Sequence, residues 1–164
     1  MNKNDVQLLY RYNAWANARI LNAAAKVTSD QFIAPATFPH GGLRGTLTHV
    51  LFAEWIWRKR WEGISPREHL KPQDFETFQS FCNRWQEQER KLMAFVENVT
   101  EEQLQKDFDY MTTSGDPMRE ILWKVMAHVV NHSTQHRSEA AALLTDYGHS
   151  PGDIDLIIFL REQK

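Results

Sequence analysis

Residues 127–144 read AHVVNHSTQHRSEAAALL, a run without glycine or proline in which His132 and His136 stand four positions apart. In an α-helix that spacing places two side chains on one face, about one turn from each other. Extended both ways, the same face reads Val125, Val129, His132, His136, Ala140 and Leu143, stepping by three or four throughout. Such a stripe is buried by packing against other helices, so both imidazoles occupy positions that a plain bundle fills with Leu or Val. An unpaired imidazole there carries a desolvation cost on the order of 1–3 kcal/mol. Metal coordination would more than offset it, and ring nitrogens one turn apart can converge on one ion. Chance alone supplies about 0.3 histidine pairs at this spacing in such a chain, so the pair by itself is a weak signal.

The neighbouring segments repeat the helical pattern. A first helix is predicted from about Asp5 to Val27, capped by Asn4 or Asp5, with Leu9, Tyr12, Ala16, Ile20 and Ala23 facing inward. Residues 29–45 hold Pro35, Pro39, Gly41 and Gly42, which reads as a long loop with room for one helical turn. A loop of this length is a usual border for a site and would permit a crossover topology. A second helix is predicted from Leu43 or Thr46 to Glu62, stopped by Gly63. From Gln73 to Val99, Phe75, Phe78, Cys82, Trp85, Leu92, Val96 and Val99 trace the clearest amphipathic stripe. Thr100 with Gln103 forms a capping-box pattern for a short helical turn. Phe108, Tyr110 and Thr112 alternate ahead of a Ser-Gly-Asp turn and suggest a small hairpin. The histidine-bearing helix is predicted to open with Asp116 as cap and Pro117 at its first position, and to end at Tyr147 before Gly148. A short helix from Asp153 to about Arg161 closes the chain. Four long one-faced helices can bury those faces only against each other, which makes the fold all-α, a single four-helix bundle over residues 1–164.

Composition bounds the function. The chain has 164 residues, 42% hydrophobic and 24% charged, with a formal net charge of -2. That is enough chain for one core without disulfide staples. With no long basic run, a nucleic-acid partner is not expected. Cys82 is the only cysteine, so no internal disulfide can form, and a cytoplasmic location is expected. The N-terminus carries Asp5, Arg11 and Arg19 where a signal peptide has its apolar centre, and no membrane span is expected.

Among other candidates, His49 lies on the second helix with Ala53 and Ile56 at helical spacing and could supply a third ligand. His128 sits one turn before His132 and could support the site, or close it as a fourth ligand. Glu139 could orient the His136 ring or act as a base. His40, His69 and His149 lie near glycine or proline and read as exposed, with His40 able to reach a pocket mouth. Trp55, Trp57, Trp61, Arg58 and Arg60 read as core packing with a solvated face rather than a base-stacking surface. Cys82, on an apolar stripe, reads as a small core residue.

Four stretches in this order, YNAWANARIL at 12–21, THVLFAEWIWRKRWEG at 48–63, MAHVVNHSTQHRSEAAALL at 126–144 and SPGDIDLIIFLRE at 150–162, resemble the helix signatures of the DinB/YfiT-like family of metalloenzymes. The resemblance covers nearly the whole chain. It implies an up-down-down-up bundle in which His49, His132 and His136 hold one divalent metal ion; zinc, nickel, iron and cobalt all accept imidazole, with zinc or nickel the leading candidates. It also implies a low-molecular-weight thiol as cosubstrate and a homodimer. Gln135, Ser138 and Glu139 depart from the His-His-Arg-Gly-Gln form associated with many relatives, which leaves the three ligands intact and alters the pocket around them. Three neutral imidazoles leave an ion its full charge and one open position, a catalytic form suited to small-molecule thiol transfer or, alternatively, to hydrolysis. Trp15, Phe52 and Trp57 are the expected pocket walls. A non-catalytic metal-binding stress-response module is the alternative from another class.

Overall fold

The computed structural model describes residues 1–163. Four long helices dominate: α1 (Lys3–Ala24), α3 (Leu43–Trp61), α4 (Phe78–Asn98) and α6 (Leu122–Asp146). Short helices α2 (Ser29–Ile33), α5 (Glu101–Gln105) and α7 (Leu156–Glu162) sit between and after them, with a single 3-10 turn at Pro72–Asp74. Strands β1 (Asp107–Met111) and β2 (Pro117–Ile121) form one antiparallel hairpin.

The helix neighbours run α1, α6, α3, α4 and back to α1. Two buried clusters give the directions. One gathers Val6 and Tyr10 of α1, Leu92 and Val96 of α4, and Leu122, Met126 and Val130 of α6, with Trp61 of α3 packed against it. The other gathers Ile20 and Ala23 of α1, Leu43 and Leu47 of α3, Phe81 and Trp85 of α4, and Ala140 and Leu143 of α6. Early α1 and α6 thus share an end with late α3 and α4, which is the up-down-down-up order. The connection between parallel α3 and α4, residues 62–77, makes the return crossing. The loop at 29–45 instead joins antiparallel α1 and α3.

Several boundaries move. Asn2, rather than Asn4 or Asp5, caps α1: its side chain accepts from the Asp5 backbone, and the Asp5 carboxylate accepts from the Asn2 backbone. That reciprocal pair satisfies two of the first turn's free donors. Helix α4 starts at Phe78 because Thr77 caps it, although Phe75 is still buried. The expected helix start at Asp116 is overturned, since Pro117–Ile121 is β2. Asp116 spends its backbone closing the hairpin, its N–H donating to Thr112 Oγ1 and its carbonyl accepting from Thr112 N. Gly115 supplies the positive φ of 97° that this turn needs. No helix among the described residues is long and apolar enough to cross a membrane.

Candidate metal centre

Four histidine rings meet where α3 packs on α6. His49 comes from α3, His132 and His136 from α6, and His40 from the loop ahead of α3. The Nε2 atoms of His49 and His132 face each other at 3.0 Å. Ring centroids of His49 and His136, and of His132 and His136, are 4.5 Å apart at steep angles of 85° and 61°. One ring nitrogen each from His40, His49 and His136 lie within 4.8 Å of one another, a group that could hold a metal ion.

Ring orientation separates the four. An imidazole binds an ion close to its own plane, so ligand rings must be mutually inclined. His40 lies flat on His49, with centroids 3.6 Å apart and planes 13° from parallel. In that pose an ion lying in the plane of one ring is displaced from the other by roughly a van der Waals contact. His49, His132 and His136 are inclined to each other, and the 3.0 Å Nε2 pair is near the roughly 3.4 Å that two nitrogens adopt in a tetrahedral shell with bonds of about 2.0–2.1 Å. The His40, His49 and His136 group could hold a divalent ion, and His132 reaches the same point through its Nε2 contact with His49, at an inclination that the stacked His40 ring lacks.

Burial keeps His49 and His132 neutral at pH 7. The His49 imidazole is pulled down to about 3, first by desolvation and then by the neighbouring histidines His40, His132 and His136. His132 is lowered to about 4 for the same leading reason, and His40 is also lowered by burial and by His136. Neutral imidazole is the metal-binding form, so at pH 7 metal uptake need displace no proton from His49 or His132. In metal-free protein, NMR titration of their ring protons should show both transitions below pH 5; midpoints near 6.5 would reject this electrostatic picture. The Glu139 carboxylate accepts a hydrogen bond from His136 Nδ1 at 2.8 Å, which leaves Nε2 as the free ligand atom. This favours orientation over general base catalysis as the role of Glu139. Nδ1 of His132 is buried without a partner, so packing alone sets that side of its ring.

The expectation that His40 is exposed is overturned, and Gly45 supplies the reason. A Cβ on Gly45 would lie 1.8 Å from the His40 carbonyl oxygen, so only glycine in the first turn of α3 lets the loop approach. Gly42 makes the same allowance for the Ala34 carbonyl. The sequence signal was there in HGGLRG, a loop histidine followed by three glycines within five positions. Gly45→Ala should lift the loop, separate His40 from His49 and cost about 1–3 kcal/mol. Urea unfolding measures the cost, and an unchanged His40 ring environment by NMR would refute the displacement.

Behind the histidines lies a buried polar relay. Glu54 Oε1 accepts from Asn13 Nδ2 at 2.7 Å, Asn17 Nδ2 at 3.1 Å and Ser133 Oγ at 3.3 Å. Arg137 Nη1 donates to the side-chain oxygens of both asparagines, and its Nη2 donates to Thr134. Burial raises the Glu54 carboxyl against the opposing pull of these hydrogen bonds and of Arg137. Ser133 and Arg137 each follow a histidine by one residue, so the relay ties α6 to α1 and α3 directly behind the cluster.

Other candidates fall elsewhere. Trp15 packs on Phe159, and its indole donates to Glu162, so it docks α7 and lines no part of the site. His128 is exposed and packs edge-on against Trp57. His69 is exposed and stacks on Phe52, while His149 is half-buried. The expected solvated face of the Trp-Arg cluster is corrected too: Arg58 and Arg60 are both buried, Arg58 against Gln88 and Glu62. Cys82 is half-buried against the core, and burial pushes its thiol up, away from the nucleophilic form. A cavity of about 280 Å³ opens directly on His40 and His49, walled by Phe52, His69, Leu70 and Pro72. A larger one, about 430 Å³, lies at the hairpin beside Ser65 and Met118, away from the histidines.

The sequence profile of the DinB family matches residues 1–164. The chain belongs to the DinB family. It is also similar to Protein DinB of Bacillus subtilis (strain 168), 26% identical over a gapped alignment of 164 positions that covers 93% of this chain and 92% of that relative. The up-down-down-up bundle and the histidine cluster are thus those of a DinB family protein.

Proposed function

We propose that this DinB family protein is a divalent-metal-dependent thiol S-transferase, with His49, His132 and His136 as its protein ligands. The observation that carries the reading is a cluster of mutually inclined, largely desolvated imidazoles, one of which, His49, opens on an apolar-walled cavity. A bound divalent ion, zinc or nickel, would supply the positive charge that removes a thiol's proton near neutral pH. The chain's own residues do the rest. Glu139 fixes the His136 tautomer, His40 shields the face of His49 from water, and Phe52 with Leu70 offers apolar contact to an electrophile. In the transfer, sulfur forms a bond to the electrophilic carbon, the bond to the leaving group breaks, and that group departs with the electron pair. The thiol proton passes to solvent.

The test uses full-length protein loaded with zinc or with nickel. Cysteine and glutathione are offered with monochlorobimane, whose thioether fluoresces once chloride leaves. Protein-dependent turnover above the uncatalysed rate, lost in His132→Ala, is expected. Thiol-independent release of nitrophenol from p-nitrophenyl acetate, with no thioether formed, would replace this reading with a metal-dependent hydrolase.

A further inference from the structure

A second cleft, about 280 Å³, lies farther along the α3–α6 seam and is lined by Trp57, Tyr110, Glu120, Lys124, Val125 and His128. Its walls are aromatic: Trp57 and Tyr110 meet edge to face with centroids 5.0 Å apart. Arg60 stands behind both rings, its guanidinium 4.6 Å from the Trp57 centroid and 5.0 Å from that of Tyr110. Arg60 is only 8% exposed, and its Nε is buried without a partner. Among the described residues it forms no ion pair, and neither do Glu120 and Lys124 at the cleft. A single exposed lysine or glutamate is ordinary, but a buried cation without a carboxylate is costly. Here it sits against the aromatic wall of a cleft that carries one free charge of each sign.

We propose that this cleft binds the α-amino-carboxylate end of a small thiol. Lys124, with the field of Arg60 behind the rings, attracts the carboxylate; Glu120 takes the ammonium; and the aromatic walls cover the carbon chain. That the ligand is a thiol rests on the S-transferase reading, whereas recognition of the amino-acid end rests on the cleft. The cleft adjoins the histidine cluster: the rings of His128 and His132 are 5.8 Å apart. A sulfur a few bonds from that head group would point along the seam through His128 toward His132.

The test uses metal-free, full-length protein and S-methyl-L-cysteine, which has the amino-acid end but no thiol. Amide and indole NMR shifts of Trp57 and Lys124 should saturate at millimolar concentration. Lys124→Gln and Glu120→Gln should each weaken binding about five- to tenfold. Removing the ligand's carboxylate, as in 2-(methylthio)ethylamine, should cost wild-type protein a similar factor and Lys124→Gln protein almost nothing more. Absence of saturable shifts, or equal binding by wild type and both variants, would overturn the proposal. Because neither metal nor thiol is present, a protein that binds S-methyl-L-cysteine in this way yet transfers no sulfur would sink only the S-transferase reading. Turnover whose KM for cysteine is unchanged in both variants would sink only the cleft assignment.

Discussion

Alanine at His132 or at His136 should abolish stoichiometric metal binding while the bundle stays folded. Elemental analysis of wild-type protein purified without a histidine tag should give about one ion per chain. In the proposed shell of His49, His132 and His136 each imidazole would contribute directly, so removing one should weaken affinity roughly a hundredfold or more. Glu139→Gln acts at one remove, by loosening the hydrogen bond that orients His136, and should cost about 10–100-fold. His40→Ala should cost less than either ligand change, because the ring is stacked on His49 rather than inclined toward a shared ion. Competition with a chelator ranks all four, and circular dichroism with a His136→Gln variant separates ligand loss from unfolding. Wild-type protein that is folded yet takes up no added divalent ion would leave the histidines as structural parts of the bundle.

Glu54→Ala should be the most destabilising single change away from the apolar core. The carboxylate is 1% exposed, and Arg137 is equally buried. Removing Glu54 strands the donors of Asn13, Asn17 and Ser133 and takes from Arg137 the carboxylate that acts on it through space. Breaking a buried charge network of this kind costs about 3–5 kcal/mol. For a chain of this size that is about 6–20 °C in Tm. Glu54→Gln keeps an oxygen acceptor and, with burial already raising the carboxyl toward its neutral form, should cost far less. Urea denaturation of both variants checks the order; a Glu54→Ala loss below about 1 kcal/mol would show that the relay contributes little net stability.

The relay and the cluster were unequally visible beforehand. His132 and His136 were legible because they obey a local rule, the helical period, and their stripe is buried as the period requires except that His132 is half-buried. His49 was a candidate, but its periodicity could not say which helix it faced. Asn13, Asn17 and Glu54 carried no signal as a group, since three residues on two helices become a network only when α1, α3 and α6 pack. The helix expected at Asp116 shows the opposite failure. Asp-Pro is a sound helix start in isolation, yet the β1 strand offers Met118 to Ile121 a ladder, and the turn at Gly115 commits Asp116 to it.

What the sequence determined alone is therefore what depends on neighbours along the chain: four amphipathic helices, the stops of α3 and α6 ahead of Gly63 and Gly148, and two imidazoles on one face. The tertiary structure alone decided what depends on neighbours across space. It set the ring order that brings α3 against α6, and the approach of the 34–42 loop that only Gly42 and Gly45 permit. It also set the position and inclination of each imidazole, bringing His40 from its loop onto His49 beside His132 and His136. The physical reason is that helix formation is governed by local hydrogen bonds and periodicity, whereas a metal site is governed by angles between side chains on separate elements, which only packing can set.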